Sequence, residues 1–204
     1  MIKASEAFFE MTKQRWLYNI TAIENIPSII RHGILCYELA SKYPHTSIAL
    51  SSVQDRRNKV QIPNGMKLHR YANLYFTYHN PMLYARQAQA ENICILLISC
   101  SVLDTSGCIV TDRNAATDLV KFYPPEEGIR QIEFDKVFAQ YWIHDDPYEQ
   151  INHKAIKCAE VLVPHKVPYD QIMGACVVSE NAKQKLQETG FDRTISVRPK
   201  VFYR

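Results

Sequence analysis

The chain's six glycines, Gly33, Gly65, Gly107, Gly128, Gly174 and Gly190, are scattered so that no two fall within one loop. Loops that cradle phosphate need clustered glycines, because only a backbone free of Cβ atoms approaches the anion closely enough. The dispersal excludes the G-x-G-x-x-G dinucleotide fingerprint and the P-loop. If this chain binds a nucleotide, side chains must do much of the holding.

Apolar residues make up 47% of the 204 positions and charged ones 22%, enough for a real core. One compact domain over residues 1–204 is expected, and disorder is excluded. The longest apolar run, 93–98, is far short of the roughly 18 residues that cross a bilayer. Glu6, Glu10 and Lys13 interrupt the first twenty residues. No membrane span, no signal peptide and a cytoplasmic location are therefore expected. A net charge of +3 is too small for bulk attraction to nucleic acid, so any such binding needs a local patch. The six cysteines form no C-x-x-C and the seven histidines no H-E-x-x-H. Reduced thiols and no metal are expected.

Apolar spacing predicts a helix over 4–13, a strand at 16–20, and a helix capped by Thr21 that stops at Gly33. A short basic helix over 52–60, a Pro63-Asn64-Gly65 turn and a strand at 73–78 follow. Asn80-Pro81 reads as the N-cap and first residue of a helix through Ala90, before a buried strand at 93–101. Residues 104–128 read as loop and 132–142 as helix. Strands are expected at 155–163 and 175–178, then a helix from Ser179 to Gly190 and β structure at 194–197 and 201–203. The sum is an α+β domain with a mixed sheet.

Glu160 interrupts the otherwise apolar strand Cys158–Val163, where a carboxylate is costly unless paired or used. Two readings stand: a salt bridge to one of the many basic residues, or a buried base or acceptor for sugar hydroxyls. Arg56 and Arg57 diverge by about 100° on a helix, so only one can enter a given pocket. A solvated basic helix and a guanidinium clamp are both open. Aromatic and polar residues interleave from His69 to Tyr84. Half must be core, and the rest offer faces for a nicotinamide or a nucleobase.

Five of these segments, in order, resemble the DarT family of DNA ADP-ribosyltransferase toxins. Tyr18-Asn19-Ile20-Thr21 with Asn25, Ser28-Ile29 and His32-Gly33 is similar to the family's "YHIT…N…SI…HG". Gln54-Asp55-Arg56-Arg57 is similar to "Q-x-R-R", Tyr75-Phe76 through Asn80-Pro81-Met82-Leu83-Tyr84 to "YF…NPMLY", Thr111-Asp112-Arg113-Asn114-Ala115-Ala116 to "TDGNAA", and Lys157–Val163 to "RQAE-LV". The resemblance implies the ADP-ribosyltransferase fold of the poly(ADP-ribose) polymerases, with a split mixed β-sheet, peripheral helices and NAD held without a glycine-rich loop.

It implies catalytic roles for Glu160 and Arg56, with Arg57 left for solvent or the DNA backbone. Asn19, Thr21, Asn25, Tyr71, Tyr75 and Tyr84 are then candidates for NAD, and Met82, Asn114, Arg57 and Arg113 for DNA. Asn19 stands where many members have histidine, and Arg113 replaces a glycine, which leaves guanine open beside thymine as acceptor base. The implied reaction is cleavage of the nicotinamide–ribose bond and capture by a base of single-stranded DNA. The implied partner is an antitoxin with an ADP-ribose-hydrolysing domain. A carboxylate that acts only in the transition state predicts that Glu160→Ala abolishes transfer with the fold intact. A transferase of the same fold acting on RNA or protein, and an inactive single-strand-binding module, are the rivals.

Overall fold

A computed structural model describes residues 2–203. Ten strands form, in chain order β1 (Trp16–Ala22), β2 (Ile34–Leu35), β3 (Tyr71–Tyr75), β4 (Ile93–Ser99), β5 (Ile109–Thr111), β6 (Phe122–Tyr123), β7 (Glu160–Pro164), β8 (Lys166–Val167), β9 (Ile172–Val177) and β10 (Thr194–Val197). Eight of them build one mixed sheet in the order β10-β9-β4-β1-β3-β7-β5-β6, and β2 pairs with β8 beside it. Strands β9 and β10 run parallel. The nearly continuous apolar run of β4 suits its place between β1 and β9, where both faces are covered.

The sheet is split between β1 and β3. Strand β1 zips to β4 from Trp16–Ser99 to Ala22–Ile93, and β3 zips to β7 from Tyr71–Pro164 to Tyr75–Glu160. Between β1 and β3 the register holds only at Tyr18–Tyr75. Asn19 Nδ2 reaches across this seam to the Asn73 carbonyl at 3.3 Å.

Helices pack around both halves. The helix Ala4–Thr12 turns Phe8 fully inward, its ring 5.6 Å from that of Phe76 and 5.7 Å from that of Phe134. The helix Ile26–His32 stops at Gly33, whose φ is +82°. A Cβ there would lie 2.3 Å from the Val167 carbonyl oxygen, so only glycine lets the chain pass β8. Asn80 and Ser179 cap their helices as expected, accepting from the Leu83 and Ala182 N–H groups.

Several boundaries differ from the sequence reading. Thr21 lies inside β1 and caps nothing; a 3₁₀ turn, Ile23–Asn25, leads into the helix instead. The helix after Pro81 ends at Tyr84 and continues as a 3₁₀ segment, Gln87–Asn92. The helix expected over 132–142 is confined to Phe134–Phe138. A helix, Pro147–Ile156, occupies the start of the strand expected at 155–163. Residues 201–203 join a 3₁₀ turn, Pro199–Phe202, rather than a strand.

Candidate active site

A cavity of ≈ 380 Å³ opens at the seam. Strand β1 and the turn after it supply Asn19, Thr21 and Asn25, and β3 supplies Asn73 and Tyr75. The helix Ser51–Lys59 adds Val53, Gln54 and Arg57, the helix Pro81–Tyr84 adds Met82, and Asn114 and Cys158 complete the wall. The irregular segment 43–50 forms the remaining side. Asn25 holds it there: its Nδ2 donates to the Thr46 carbonyl at 2.8 Å, and its Oδ1 accepts from the Thr46 N–H at 2.8 Å. Arg86 Nε donates to the Ile48 carbonyl.

Glu160 opens β7 and is 0% exposed. Arg57 Nη1 donates to both of its oxygens, at 2.9 and 3.0 Å, and the Ala115 N–H donates to Oε1 at 2.9 Å. The Glu160 N–H is taken by the Thr111 hydroxyl at 3.0 Å, which itself donates to the Arg113 carbonyl at 2.7 Å. The 111–116 loop thus bonds Glu160 at both its carboxylate and its main chain, and the Ala115 N–H shares Oε1 with Arg57. Burial alone would lower the Arg57 pKa, but the Glu160 charge reverses this and the net shift is upward. Tyr75, opposite Glu160 on β3, is raised by burial and then by the Glu160 charge. His69 is lowered by burial and by Arg57.

The arginine pair is the reverse of what the sequence reading assigned. Arg57 faces inward, four residues after Val53 on the same helix face, while Arg56 is exposed. Arg57 is only 7% exposed and bound to Glu160, and it lines the cavity rather than facing open solvent. Its Nε and Nη2 have no partner among the described residues and are left as donors beside the cavity. Glu160 lies behind Arg57 rather than on the cavity surface.

Among the other candidates, Asn19, Thr21, Asn25, Tyr75, Met82 and Asn114 come together at the cavity. Tyr71 does not: it is buried in a separate cluster with Ile62 and Leu68, its hydroxyl accepting from the Met66 N–H. Tyr84 is half exposed and packs near Trp142 and Tyr203, away from the lining. Arg113 bonds Asp112 and Asn152 instead of reaching the cavity. The sequence reading missed the Thr111 hydroxyl and the Ala115 N–H as supports of Glu160. A backbone donor carries no side-chain signal, whereas Val53 four positions before Arg57 does mark the inward arginine. Among the described residues no group of three His, Cys, Asp or Glu is placed to hold a metal ion, and no helix is long and apolar enough to cross a membrane.

The sequence model of one family, described as DarT, ssDNA thymidine ADP-ribosyltransferase, matches residues 18–203. The DNA ADP-ribosyl transferase of Thermus sp. (strain 2.9) is 30% identical over 199 residues, covering 92% of this chain and 93% of that protein. A DNA ADP-ribosyl transferase–DNA ADP-ribosyl glycohydrolase fusion protein of Thermosipho africanus (strain H17ap60334) is 30% identical over 195 residues. That match covers 91% of this chain and 48% of the fusion, so the chain spans about half of its length. Thermus sp. 2.9 DarT in complex with ADP-ribosylated ssDNA superposes with a TM-score of 0.78 at 28% identity, covering 94% of this chain and 97% of that one. The same protein in complex with NAD+ gives 0.77 at 26%, covering 93% and 98%. With a family match over nearly its whole length and these relatives on both sequence and fold, the chain belongs to the DarT family of ssDNA thymidine ADP-ribosyltransferases.

Proposed function

We propose that the chain, acting as one domain over residues 1–204, transfers ADP-ribose from NAD+ to thymine in single-stranded DNA and releases nicotinamide. The observation that carries this reading is the buried Arg57–Glu160 pair behind the cavity at the seam, backed by the Ala115 N–H. Glu160 supplies a fixed negative charge where positive charge grows on the ribose as the bond from C1′ to nicotinamide breaks. Thymine in DNA has one N–H, at N3, so N3 is the nitrogen that bonds C1′. In this reading the proton goes to the Glu160 carboxylate, which must come out from behind Arg57 to receive it, and the free Arg57 donors face the negative charge that develops on the base. Arg113, tied to Asp112 and Asn152, gives no ground for preferring guanine.

A base within a duplex cannot enter such a cavity, which supports a single strand or a flipped nucleotide as substrate. The transferase–glycohydrolase fusion among its relatives supports a toxin role and an antitoxin partner that removes the modification, and a cytoplasmic setting follows in this reading from DNA as the substrate. Nucleoside digestion and mass spectrometry after incubation with NAD+ and mixed-sequence single strands tests the reading. ADP-ribosylated thymidine in step with nicotinamide release is expected. An adduct confined to another base, or nicotinamide release with no DNA adduct, would overturn it.

A further inference from the structure

Gln54 lines the cavity one helical turn before Arg57, and the transfer chemistry described above gives its amide no part. Its oxygen is already engaged. His69, on the 3₁₀ turn Leu68–Arg70, places ring Nε2 3.1 Å from Gln54 Oε1. An amide oxygen only accepts, so the His69 proton sits on Nε2 and is donated to Gln54. Burial, and then the Arg57 charge, press His69 below its ordinary pKa, so near pH 7 the ring is neutral and carries that one proton. The ring does not line the cavity; it is held from behind. Tyr37 stacks on it with centroids 4.2 Å apart and planes inclined by 29°, and the Leu68 N–H donates to the Val60 carbonyl at 3.0 Å, drawing the turn against the end of the helix.

With Oε1 taken, what Gln54 has left for the cavity is its Nε2, which has no hydrogen-bond partner among the described residues. Arg57 also carries only donors, so the two side chains make a donor-only edge along one helix face. A free glutamine amide turns over to meet either a donor or an acceptor. His69 removes that freedom. Thymine flanks its N3–H with two carbonyl oxygens, O2 and O4, and a donor-only edge suits both. Guanine flanks its N1–H with the O6 carbonyl on one side and the N2 amino group on the other, and an amino group set against a donor leaves both unpaired.

We propose that His69 is a positioning residue for base selection: it holds the Gln54 amide with its N–H groups toward the cavity, so that Gln54 and Arg57 together favour a base with carbonyl oxygens on both sides of its reacting N–H. The inference rests on the transfer reading above and names what turns that transfer toward thymine.

A competition assay tests it. Two short single strands of adenine and cytosine, identical but for one central thymine or guanine, are mixed in equal amounts with the full chain and NAD+, and both adducts are quantified by mass spectrometry. The ratio comes from one sample, so it does not depend on how much of a variant is folded. His69→Phe keeps a ring on Tyr37 but removes the N–H, and the thymine-to-guanine ratio is expected to fall at least about fivefold. Gln54→Met removes the amide; adding His69→Phe to it should change the ratio by less than about twofold, because His69 acts through Gln54. A His69→Phe chain that still modifies thymine alone or loses both adducts in step, or an equal fall in the two backgrounds, would overturn the assignment. No thymine adduct from the unsubstituted chain would overturn the transfer reading itself, and this inference with it.

Discussion

Arg57 commits one guanidinium nitrogen to both oxygens of Glu160 and keeps two others for whatever enters the cavity. Removing either partner leaves a charge buried with too few bonds, which typically costs about 3–5 kcal/mol. Glu160→Ala is therefore expected to destabilise the fold as well as abolish transfer, which revises the expectation of an intact fold. Arg57→Ala should lose a similar amount in urea denaturation and nearly all nicotinamide release. Arg56→Ala, at an exposed position, should stay within about 0.5 kcal/mol and about twofold in activity. Equal losses in the two arginine variants would contradict the structure. The weight of Glu160 was legible because a carboxylate stands in an apolar strand. The choice of arginine needed the helix phase, which Val53 sets, and the Ala115 N–H was not legible at all because it is main chain.

At the scale of elements, the short helix Phe134–Phe138 is ended by side chains from elsewhere. His153 Nε2 takes the Lys136 carbonyl at 2.9 Å, and Lys157 Nζ takes those of Val137 and Ala139 at 2.8 and 2.7 Å. These are the carbonyls that a continuing helix would have used. The apolar spacing over 132–142 was real, but no local pattern announces a lysine that arrives from fifteen or more residues downstream. Lys157 is fully buried, stands 5.6 Å over the Trp142 ring and leads directly to Cys158 and Glu160. Replacing it by Met should speed amide exchange across 136–142 while leaving β3 and β4 protected; unchanged exchange there would show that Lys157 does not hold this segment. The helix Pro147–Ile156 did carry a legible signal. Asp146 before Pro147 is the same cap pair as Asn80-Pro81, and its carboxylate accepts the Tyr148 N–H at 2.9 Å.

Across the whole molecule, the seam decides the function. The split sheet was implied by resemblance and not by periodicity, because strand order depends on partners far apart in sequence. Its α+β class and most strands were legible from apolar runs. The buried core also sets a pH response. Burial pushes the Cys94, Cys108 and Cys158 thiols up to about 12 from 9.0. Between pH 9 and 12 the folded chain keeps protons that the unfolded chain loses, so stability falls as pH rises through that window. Lys157, pushed down to about 8 from 10.5 by burial, works in the opposite direction across that narrower window. Three thiols outweigh one ammonium, and the urea midpoint should fall steadily above pH 9; a flat or rising midpoint would contradict this. The central claim, that Glu160 acts on charge and proton movement in the transition state, is tested most directly by single-turnover transfer from NAD+ to a thymine-containing single strand by Glu160→Gln. The amide can still accept the Ala115 N–H, so NAD+ affinity should stay within about threefold while the rate falls at least about 100-fold. Transfer near the original rate would contradict the account.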